Sequence, residues 1–397
     1  MDPVRAQTDE SVLRALTQTR RVTRAELATS IGISKPTAGE SVRRLTERGL
    51  VIDTGERTAG GRGKGRVGSY YALSPSAGTA LAISIASAGV TAECLDPYGD
   101  TIARAVREIP HPSQVSSTLQ AAVTEVVTAS GVISVAGATP VPLPAPRRPR
   151  LAVVSAADPV DRATGRLVEL PDSPFLVGAL DPVAVLAPFV DGPVIVDNDV
   201  NWAARAERGR AGADFAYLFL GEGLGCAIVN DGEIRRGRGG LAGEIAHVIT
   251  TGPGGRAVCF TEVFADLGLR RPGTAAIDVP RLLAACAGPT PARAALAEAV
   301  TGVVAAVVAL TDPAQILIGG AWGPALIDPL RAAVAQTPRP VPLTPATATP
   351  DPPFAGARGE ALTLLHAAMV IAGVASPENT GTPDGATRSA GGGGPAG

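Results

Sequence analysis

Apolar residues near the start of the chain recur at the three- and four-residue spacing of helices. This spacing predicts three short helices, the first over residues 8–18 with Val12, Leu13 and Leu16 on its inner face. The second and third are separated by Gly32, which supplies the tight turn of a helix-turn-helix. Each predicted helix follows a residue type that caps helices well, namely Thr8 or Asp9, Thr23 and Ser34.

Two strands follow these helices, with a loop rich in glycine and basic residues between them. The patterns of Leu50–Asp53 and Tyr70–Leu73 predict an antiparallel pair. A three-helix bundle with an exposed loop is the alternative, but such a loop suits phosphates or a narrow minor groove better than a core. The order of elements resembles the winged helix-turn-helix module of bacterial repressors. The basic residues of the loop are Arg57, Arg62, Lys64 and Arg66.

The third helix is the predicted DNA-reading element, because Val42 and Leu45 face inward and leave a polar face outward. In a winged helix, such a helix enters the major groove by its first turn. The wing is expected to add contacts that tolerate changes of sequence. We therefore predict DNA contacts at Ser34, Lys35, Thr37, Ser41, Arg43 and Arg44, and in the wing at Arg62, Lys64 and Arg66.

Beyond this region the pattern changes to short apolar strands alternating with helices, which predicts an α/β body. Val194–Val196 is one such strand, and it delivers the polar motif Asp197–Asn201 at its C-terminal end. Ligands of α/β sheets bind at such strand ends. A long helix rich in alanine and valine over residues 293–310 and a last helix over residues 360–374 complete the predicted body.

Charge is divided unevenly along the chain, whose formal net charge is −2. Residues 1–72 hold thirteen Lys and Arg against eight Asp and Glu, which suits a small module that meets a phosphate backbone. Four scattered cysteines show no disulfide spacing, and the polar start lacks the apolar core of a signal peptide. No purely apolar run reaches the ~18 residues of a membrane span. We expect a cytoplasmic protein without a membrane partner.

Two polar motifs carry the candidate chemistry of the body. Asp197–Asn201 places carboxylates and amides together, and Leu241–His247 adds a further carboxylate and an imidazole. A polyhydroxylated ligand needs several fixed donors and acceptors, because each buried polar group left unpaired costs about 1–3 kcal/mol. The two motifs therefore favour a sugar site.

These motifs resemble those of the ROK family, whose name stands for repressors, open reading frames and sugar kinases. Three segments carry the resemblance in family-like order: VDNDVN at Val196–Asn201, GEGLGCAIVNDGEIRRGRGGLAGEIAH at Gly221–His247, and ILIGGAW at Ile316–Trp322. With the winged helix ahead of them, they are similar to the transcriptional-repressor branch of the family.

The resemblance implies an α/β fold of the two-lobed, actin-like ATPase kind, which is ribonuclease H-like. The predicted organisation is a winged helix-turn-helix domain, a sugar-kinase-type body whose last helix returns to the first lobe, and a disordered tail. The predicted bounds are 1–75 for the DNA-binding domain, 79–375 for the body with lobes of approximately 79–190 and 191–355, and 376–397 for the tail.

The resemblance also implies which residues hold the sugar. Kinases of the family move phosphate from ATP to a sugar hydroxyl, and their general base matches Asp199 here. From the residues alone, Asn198 and Asp199 can also form a hydrogen-bonded turn at the end of a strand, and His247 can be structural. The sugar contacts that carry over are Asn198, Asp199, Glu244 and His247, with Glu262 as a further candidate.

The phosphate-binding parts of the family depart from its pattern in this chain. Where the kinases have Asp-x-Gly-Gly-Thr, this chain has Ser84 in place of the aspartate and lacks the paired glycines. In the second loop, Gly221–Gly225, Glu222 sets an anion beside the expected phosphate, and two like charges in such a place repel each other. We therefore predict a vestigial base at Asp199, no kinase activity and no cofactor.

Two further departures concern metal and ligand. Family members commonly bind zinc through a histidine and three thiolates, but Cys259 is the only thiol that follows His247 at this place, so we predict no metal. The family's Val-Pro-Gly-Pro-Val-Asp loop corresponds to Ser155–Asp161, with Asp158 in place of the glycine. That change indicates either an altered ligand specificity or lost binding.

The sequence favours a DNA-binding transcriptional regulator, a repressor, whose degenerate kinase-like body senses a sugar or sugar derivative. One alternative is a regulator that binds no ligand and uses the body only to dimerise; the less favoured one is an active ATP-dependent sugar kinase. Because one winged helix grips only a short half-site, we expect a homodimer or higher homo-oligomer on a pseudo-palindromic operator. The apolar helix surface at Ala299–Leu310 is the predicted oligomer contact.

Overall fold

The structure is a computed structural model, and the residues that it describes form two compact units. The first unit joins the N-terminal residues up to Ser74 with the residues from Ala368 onward, and the second comprises Pro75–Ala367. The sequence-based division instead assigned residues 368–374 to the body. The described residues are 3–58, 68–133, 141–142, 148–168, 170 and 180–374.

The first unit contains three helices and a small antiparallel sheet. Thr23 and Ser34 cap the second and third helices as predicted: Thr23 and Glu26 form a capping box, and the Ser34 hydroxyl accepts a hydrogen bond from the N–H of Thr37 at 3.2 Å. Gly32 has a φ of 76°, the left-handed conformation that ends the second helix. The elements are α1 (Pro3–Gln18), β1 (Val22–Thr23), α2 (Arg24–Ile31), α3 (Lys35–Glu47), β2 (Val51–Arg57) and β3 (Ser69–Leu73), with the sheet ordered β1-β3-β2.

Helix α1 begins earlier than the sequence pattern predicted. It starts at Pro3, so Thr8 and Asp9 lie inside the helix and the prediction that one of them caps it is wrong. Asp9 is buried and serves as a partner for α3, which a pattern local to α1 does not reveal. The predicted apolar face is confirmed by the burial of Val12, Leu13 and Leu16.

The second unit contains two five-stranded sheets. The strands of the first are β4 (Ala80–Ala86), β5 (Gly89–Leu95), β6 (Thr101–Arg107), β9 (Leu151–Ala156) and β10 (Val194–Asn198), and those of the second are β11 (Phe215–Leu220), β12 (Leu224–Asn230), β13 (Glu233–Ile234), β16 (Ile316–Gly319) and β17 (Leu343–Pro345). Short ladders are formed by β7 (Val132–Ile133) with β8 (Val141–Pro142), and by β14 (Ile249–Thr251) with β15 (Ala257–Cys259).

The two large sheets share one strand order. The first is ordered β6-β5-β4-β9-β10 and the second β13-β12-β11-β16-β17. In each, the central strand pairs antiparallel with its neighbour on one side and parallel with its neighbour on the other. This duplicated arrangement confirms the predicted fold class. Strand β10, which the sequence placed at the start of the second lobe, is the edge of the first sheet, so its polar end lies beside β9.

Helices cover both sheets of the second unit. The helix over Pro291–Thr311 is a core helix. Val300, Val303 and Val304 are buried in the cluster that backs the second sheet. Most of the surface predicted as an oligomer contact is therefore already covered within the unit, although Leu310 is exposed. The helices are α4 (Val115–Ala129), α5 (Pro182–Leu186), α6 (Asp199–Ala211), α7 (Phe260–Asp266), α8 (Val279–Ala285), α9 (Pro291–Thr311), α10 (Ile327–Val334) and α11 (Pro352–Val374).

Helix α9 is also the one helix among the described residues that is long and apolar enough to cross a membrane by length and composition. A helix that is apolar on most sides occurs in the core of a globular domain as well as in a membrane. The buried valines of α9 pack in the core of the second unit, so α9 is a core helix in this structure.

The last turns of α11 complete the core of the first unit. A Cβ atom added to Gly373 would lie 3.0 Å from a methyl group of Leu13, 3.2 Å from one of Leu50 and 3.3 Å from one of Leu45. These distances are shorter than ordinary van der Waals contact, so a side chain at this position would force the three leucines to move. The first unit is thus built from two segments that are far apart in the sequence.

Candidate functional site

The exposed surface of α3 begins at its first turn, where polar side chains face solvent. Ser34, Lys35 and Thr37 are all exposed. The hydroxyl oxygens of Ser34 and Thr37 are 2.7 Å apart, so one of them donates a hydrogen bond to the other. Pro36 costs the helix no hydrogen bond, because first-turn N–H groups have no intrahelical partner. Three of the predicted DNA-facing residues therefore lie on the surface that such a helix presents to a groove.

The predicted DNA contacts at Ser41 and Arg44 are wrong, because both side chains are used inside the unit. Ser41 is 0 % exposed, and its hydroxyl donates a hydrogen bond to Asp9. The Arg44 side chain is 19 % exposed and donates to both carboxylate oxygens of Asp9, at 3.0 Å from Nε and 2.6 Å from Nη2. These bonds join α3 to α1 rather than to a ligand.

Arg43 is exposed, as predicted, but acidic neighbours on the same helix balance its charge. Its guanidinium lies 2.6 Å from a carboxylate oxygen of Glu40 and also pairs with Glu47. A DNA phosphate has to compete with both carboxylates to reach it. The predicted wing contacts lie outside the described residues: Arg62, Lys64 and Arg66.

Two arginines that the sequence analysis did not single out stack on tyrosines of β3. The Arg21 guanidinium lies 5.0 Å from the ring centre of Tyr70, and the Arg24 guanidinium lies 4.8 Å from the ring centre of Tyr71. Both distances fall within the ~6 Å range of cation–π contacts. Arg21 also forms an ion pair with Glu56. The signal available in the sequence was a cluster of arginines just before and at the start of α2 and two adjacent tyrosines in β3.

The second unit contains a cavity whose walls come from the strand ends of both large sheets. Asn198, Asp199, Glu244 and His247 all line it, together with the loop Glu222–Gly225. The structure therefore brings together, from two motifs more than forty positions apart, the four residues that the resemblance implied. Polar groups converging in one concave site are what the recognition of a small polar ligand requires.

Asn198 ends β10 and caps α6. Its Oδ1 accepts a hydrogen bond from the N–H of Val200 at 2.9 Å, and its Nδ2 lies 3.4 Å and 3.5 Å from the carbonyl oxygens of Asp158 and Ala156. The side chain thus forms the strand-end turn that the residues alone allowed. Since Asn198 also lines the cavity, the turn fixes its position there.

Asp199 and Glu244 have pKa values near neutrality. Burial raises the pKa of Asp199 to about 7, against a hydrogen bond from Val200 that lowers it, and the charges of Glu244 and Asp158 add to the rise. Burial also raises the pKa of Glu244 to about 7, with Asp158 adding to the rise and His247 opposing it. Both carboxyl groups border the cavity, but the surrounding protein removes much of their hydration. The site can therefore gain and lose protons near pH 7.

Backbone geometry and an ion pair set the two motifs in place. Gly243 has a φ of 96°, and a Cβ on it would lie 1.7 Å from a carbonyl oxygen of β12, so only glycine can hold Glu244 there. In the other motif, the buried Asp197 accepts two hydrogen bonds from Arg236, at 2.8 Å and 2.6 Å. The sequence analysis missed Arg236, because nothing local indicates a partner 39 residues away.

The loop Gly221–Gly225 is held in place by contacts with residues outside the loop. Glu222 forms an ion pair with Arg271, and the Glu222 carbonyl accepts a hydrogen bond from the N–H of Ile277 at 2.9 Å. Glu222 is the anion that the sequence places in this loop, and Arg271 offsets part of its charge. A phosphate that binds the guanidinium of Arg271 would have to compete with Glu222 for it.

Glu262 is not among the residues that line the cavity. It is exposed, and its carboxylate accepts a hydrogen bond from the N–H of Cys259 at 3.1 Å, which caps α7. The ligand contact at Glu262 therefore stays a prediction from the resemblance, whereas the neighbouring Thr261 lines the cavity. Within the described part of the chain, no three His, Cys, Asp or Glu side chains are grouped so that they could hold a metal ion.

The two units define a class of protein in which a winged helix-turn-helix domain is joined to a sugar-kinase-like body. Residues 5–52 match the model of a winged helix-turn-helix DNA-binding domain, and residues 146–339 match the model of the ROK family. The chain therefore carries a region that matches the ROK family and, ahead of it, a winged helix-turn-helix domain.

Curated relatives are enzymes that share part of this chain. It is 36 % identical over 155 residues to the bifunctional enzyme NanE/NanK of Brucella suis. The matched residues make up 36 % of this chain and 30 % of that protein. It is 30 % identical over 182 residues to the N-acetylmannosamine kinase of Salmonella typhi, which covers 42 % of this chain and 60 % of that protein. The chain thus spans less than two thirds of the length of these relatives.

Solved structures share the fold over more of the chain. A ROK family transcriptional regulator, a homologue of the E. coli MLC protein, covers 94 % of this chain and 100 % of its own, with a TM-score of 0.61 and 18 % identity. A ROK family glucokinase from Streptomyces griseus, in complex with glucose and AMPPNP, covers 72 % and 100 %, with a TM-score of 0.52 and 21 % identity. At these identities the likeness establishes the fold.

Proposed function

We propose that this protein is a cytoplasmic DNA-binding transcriptional regulator, a repressor, whose ROK domain senses a sugar or sugar derivative. One observation carries the proposal: the same chain holds a winged helix-turn-helix with an exposed first turn at Ser34–Thr37 and a kinase-like cavity lined by Asp199 and Glu244. A catalyst of sugar phosphorylation has no use for the first feature. A regulator that responds to a metabolite uses both.

The DNA partner is an operator, and the protein binds it as a homodimer or higher homo-oligomer. A single α3 contacts only a few base pairs, so two copies related by a twofold axis read a pseudo-palindrome. The test is selection of duplexes from a random library by the purified protein, followed by light scattering of the protein with and without the selected duplex. A selected site without twofold symmetry, bound by a monomer, contradicts this arrangement.

The ligand is a polyhydroxylated molecule held by Asn198, Asp199, Glu244 and His247. These side chains supply carboxyl, amide and imidazole groups in one cavity, which suits several hydroxyls at once. The test is calorimetry with a panel of sugars and amino sugars, for the wild type and for Asp199→Ala. If no sugar produces heat and none changes DNA affinity, the body serves only for oligomerisation and the protein is a regulator without a ligand.

A second candidate function is sugar phosphorylation, which one observation favours: a carboxyl group with a pKa of about 7 at Asp199 suits a general base. Two features oppose it. Ser84 replaces a carboxylate that would manage metal and phosphate, and the ion pair of Glu222 with Arg271 occupies the second phosphate loop. We infer that the protein has no kinase activity and uses neither cofactor nor metal, and turnover of ATP in the presence of any sugar of the panel contradicts this.

A further inference from the structure

One cation beside the DNA-reading helix has no assigned role. Arg24 is the first residue of α2, is exposed, and lies against α3 at Gly39. Its position matters because the other arginines of this surface are paired with carboxylates. Arg43 contacts Glu40 and Glu47, and Arg44 contacts Asp9. Within the described residues, Arg24 makes neither a hydrogen bond nor an ion pair, so its charge is available to a ligand.

The guanidinium of Arg24 fills a gap on the side of α3. Lys35, Gly39 and Arg43 are spaced by four residues, which places them on one side of the helix. Because Gly39 has no side chain, there is room between its two basic neighbours. A Cβ on Gly39 would lie 3.7 Å from Cδ and 3.9 Å from Nη1 of Arg24. Arg24 thus adds a positive charge to the flank of α3 where the helix itself supplies none.

Tyr71 fixes the direction of this side chain. The ring is only 6 % exposed, and it is anchored in the sheet by the pairing of Tyr71 with Val22 of β1. The Arg24 guanidinium lies over the ring at 4.8 Å from its centre. Stacking on a fixed ring restricts the rotamers of a long side chain while leaving its N–H groups free to donate. An arginine held in this way loses less entropy when it binds an anion.

We propose that Arg24 binds a phosphate of the DNA backbone beside α3, and that Tyr71 is the positioning residue that holds its guanidinium for that contact. The proposal rests on the DNA-binding function proposed above and adds a contact to it. Arg21 provides a natural comparison, because it stacks on Tyr70 in the same way but is neutralised by Glu56. The phosphate contact is therefore assigned to Arg24 and not to Arg21.

The test measures the affinity of the full-length protein for a mixed-sequence DNA duplex at a series of salt concentrations. Each phosphate contact contributes a slope of about −0.9 to the dependence of log K on log salt concentration. Arg24→Gln should make the slope less steep by about 0.9 for each bound protomer. It should also weaken binding severalfold at low salt. Arg21→Gln, the matched control, should leave both quantities close to the wild-type values.

The role of Tyr71 is tested by two substitutions. Tyr71→Leu removes the ring and should weaken binding severalfold while the slope stays near the wild-type value, because the charge of Arg24 remains. Tyr71→Phe keeps the ring and should restore the affinity. Gly39→Leu gives an independent route, since it fills the gap without altering the sheet, and it should weaken binding as well.

The outcomes separate this proposal from the one on which it rests. Wild-type affinity and slope in Arg24→Gln overturn the phosphate contact, and equal losses in Arg21→Gln and Arg24→Gln overturn its specificity. If the wild type shows no salt-dependent binding to duplex DNA, the DNA-binding function itself fails and this contact fails with it.

Discussion

Arg44 on α3 and Asp9 on α1 form a two-point ion pair, with bonds of 2.6 Å and 3.0 Å, at a place where Asp9 is 3 % exposed. The same carboxylate also accepts the hydroxyl of Ser41, so one buried acid organises two positions of α3. An arginine that the sequence placed at the DNA is therefore part of the domain interior, and it helps to set the angle at which α3 is presented.

This pair predicts a stability effect rather than a direct binding effect. Arg44→Met leaves Asp9 buried without its counter-ion, and breaking a buried pair on one side typically costs about 3 kcal/mol of unfolding free energy. Urea unfolding of the wild type and the variant measures the loss. Arg43→Met is the control, because its ion pairs are exposed and should contribute little. A variant at Arg44 with wild-type stability and lost DNA binding would restore the original assignment.

The exposed first turn of α3 predicts a loss of sequence preference. Lys35→Ala and Thr37→Val each remove an exposed polar group of the turn proposed to read DNA, and losing one base contact costs about 1–3 kcal/mol in specific binding. The measurement is the ratio of affinities for the selected duplex and for a mixed-sequence duplex. A fall in that ratio supports base reading, whereas an equal loss on both duplexes assigns these side chains to the backbone.

The wing remains a prediction from the sequence. Arg62→Ala with Arg66→Ala should weaken binding to all duplexes and reduce the salt slope by about one unit for each lost phosphate contact. Titrations at several salt concentrations give both quantities. Binding that keeps its strength and slope in this double variant removes the wing from the DNA interface.

The cavity predicts a protein that keeps its DNA affinity but loses its response to ligand. Asp199→Ala removes an acceptor from the proposed sugar site, which should lower ligand affinity by about ten- to a hundredfold. Operator binding without ligand should be unchanged, because Asp199 belongs to the second unit and α3 to the first. The measurement is operator affinity against a titration of the sugar found by calorimetry. An unaltered response in the variant shows that the ligand binds elsewhere.

The carboxyl pair of the cavity predicts a dependence of stability on pH. The pKa of Asp199 rises from 3.8 to about 7, and that of Glu244 from 4.5 to about 7, so the folded protein holds more protons than the unfolded one between these values. Stability contributed by these groups is therefore complete at low pH and is lost as the pH rises through about 7. Asp199→Asn should flatten this dependence and raise the Tm at alkaline pH relative to the wild type. A difference in Tm that stays constant with pH contradicts the raised pKa.

Much of the fold could be predicted because its signals are local. Capping by Thr23 and Ser34, the left-handed Gly32 and the apolar faces of α1 and α3 each depend on residues within a turn or two. The order of polar motifs likewise located the cavity, since Asn198 and Glu244 stand at chain turns that the sequence marks with polar residues and glycine.

What could not be predicted depends on pairs that are distant in the sequence. Asp9 was predicted as a possible cap because its partner Arg44 lies on another helix, and the sequence around Glu222 does not indicate its ion pair with Arg271. Glu262 matched a ligand contact in order along the chain, but its carboxylate caps the helix on which it lies. In each case the sequence indicated that the side chain is polar and important, but it did not indicate the group with which that side chain pairs.

The position of Gly373 against Leu13, Leu45 and Leu50 has a consequence for biosynthesis. The ribosome completes the three N-terminal helices long before it reaches the segment that closes over their leucines. During translation these leucines therefore lack the segment that packs against them until almost 300 further residues have been added. We therefore expect an incomplete chain that lacks this segment to bind operators less well than the whole protein.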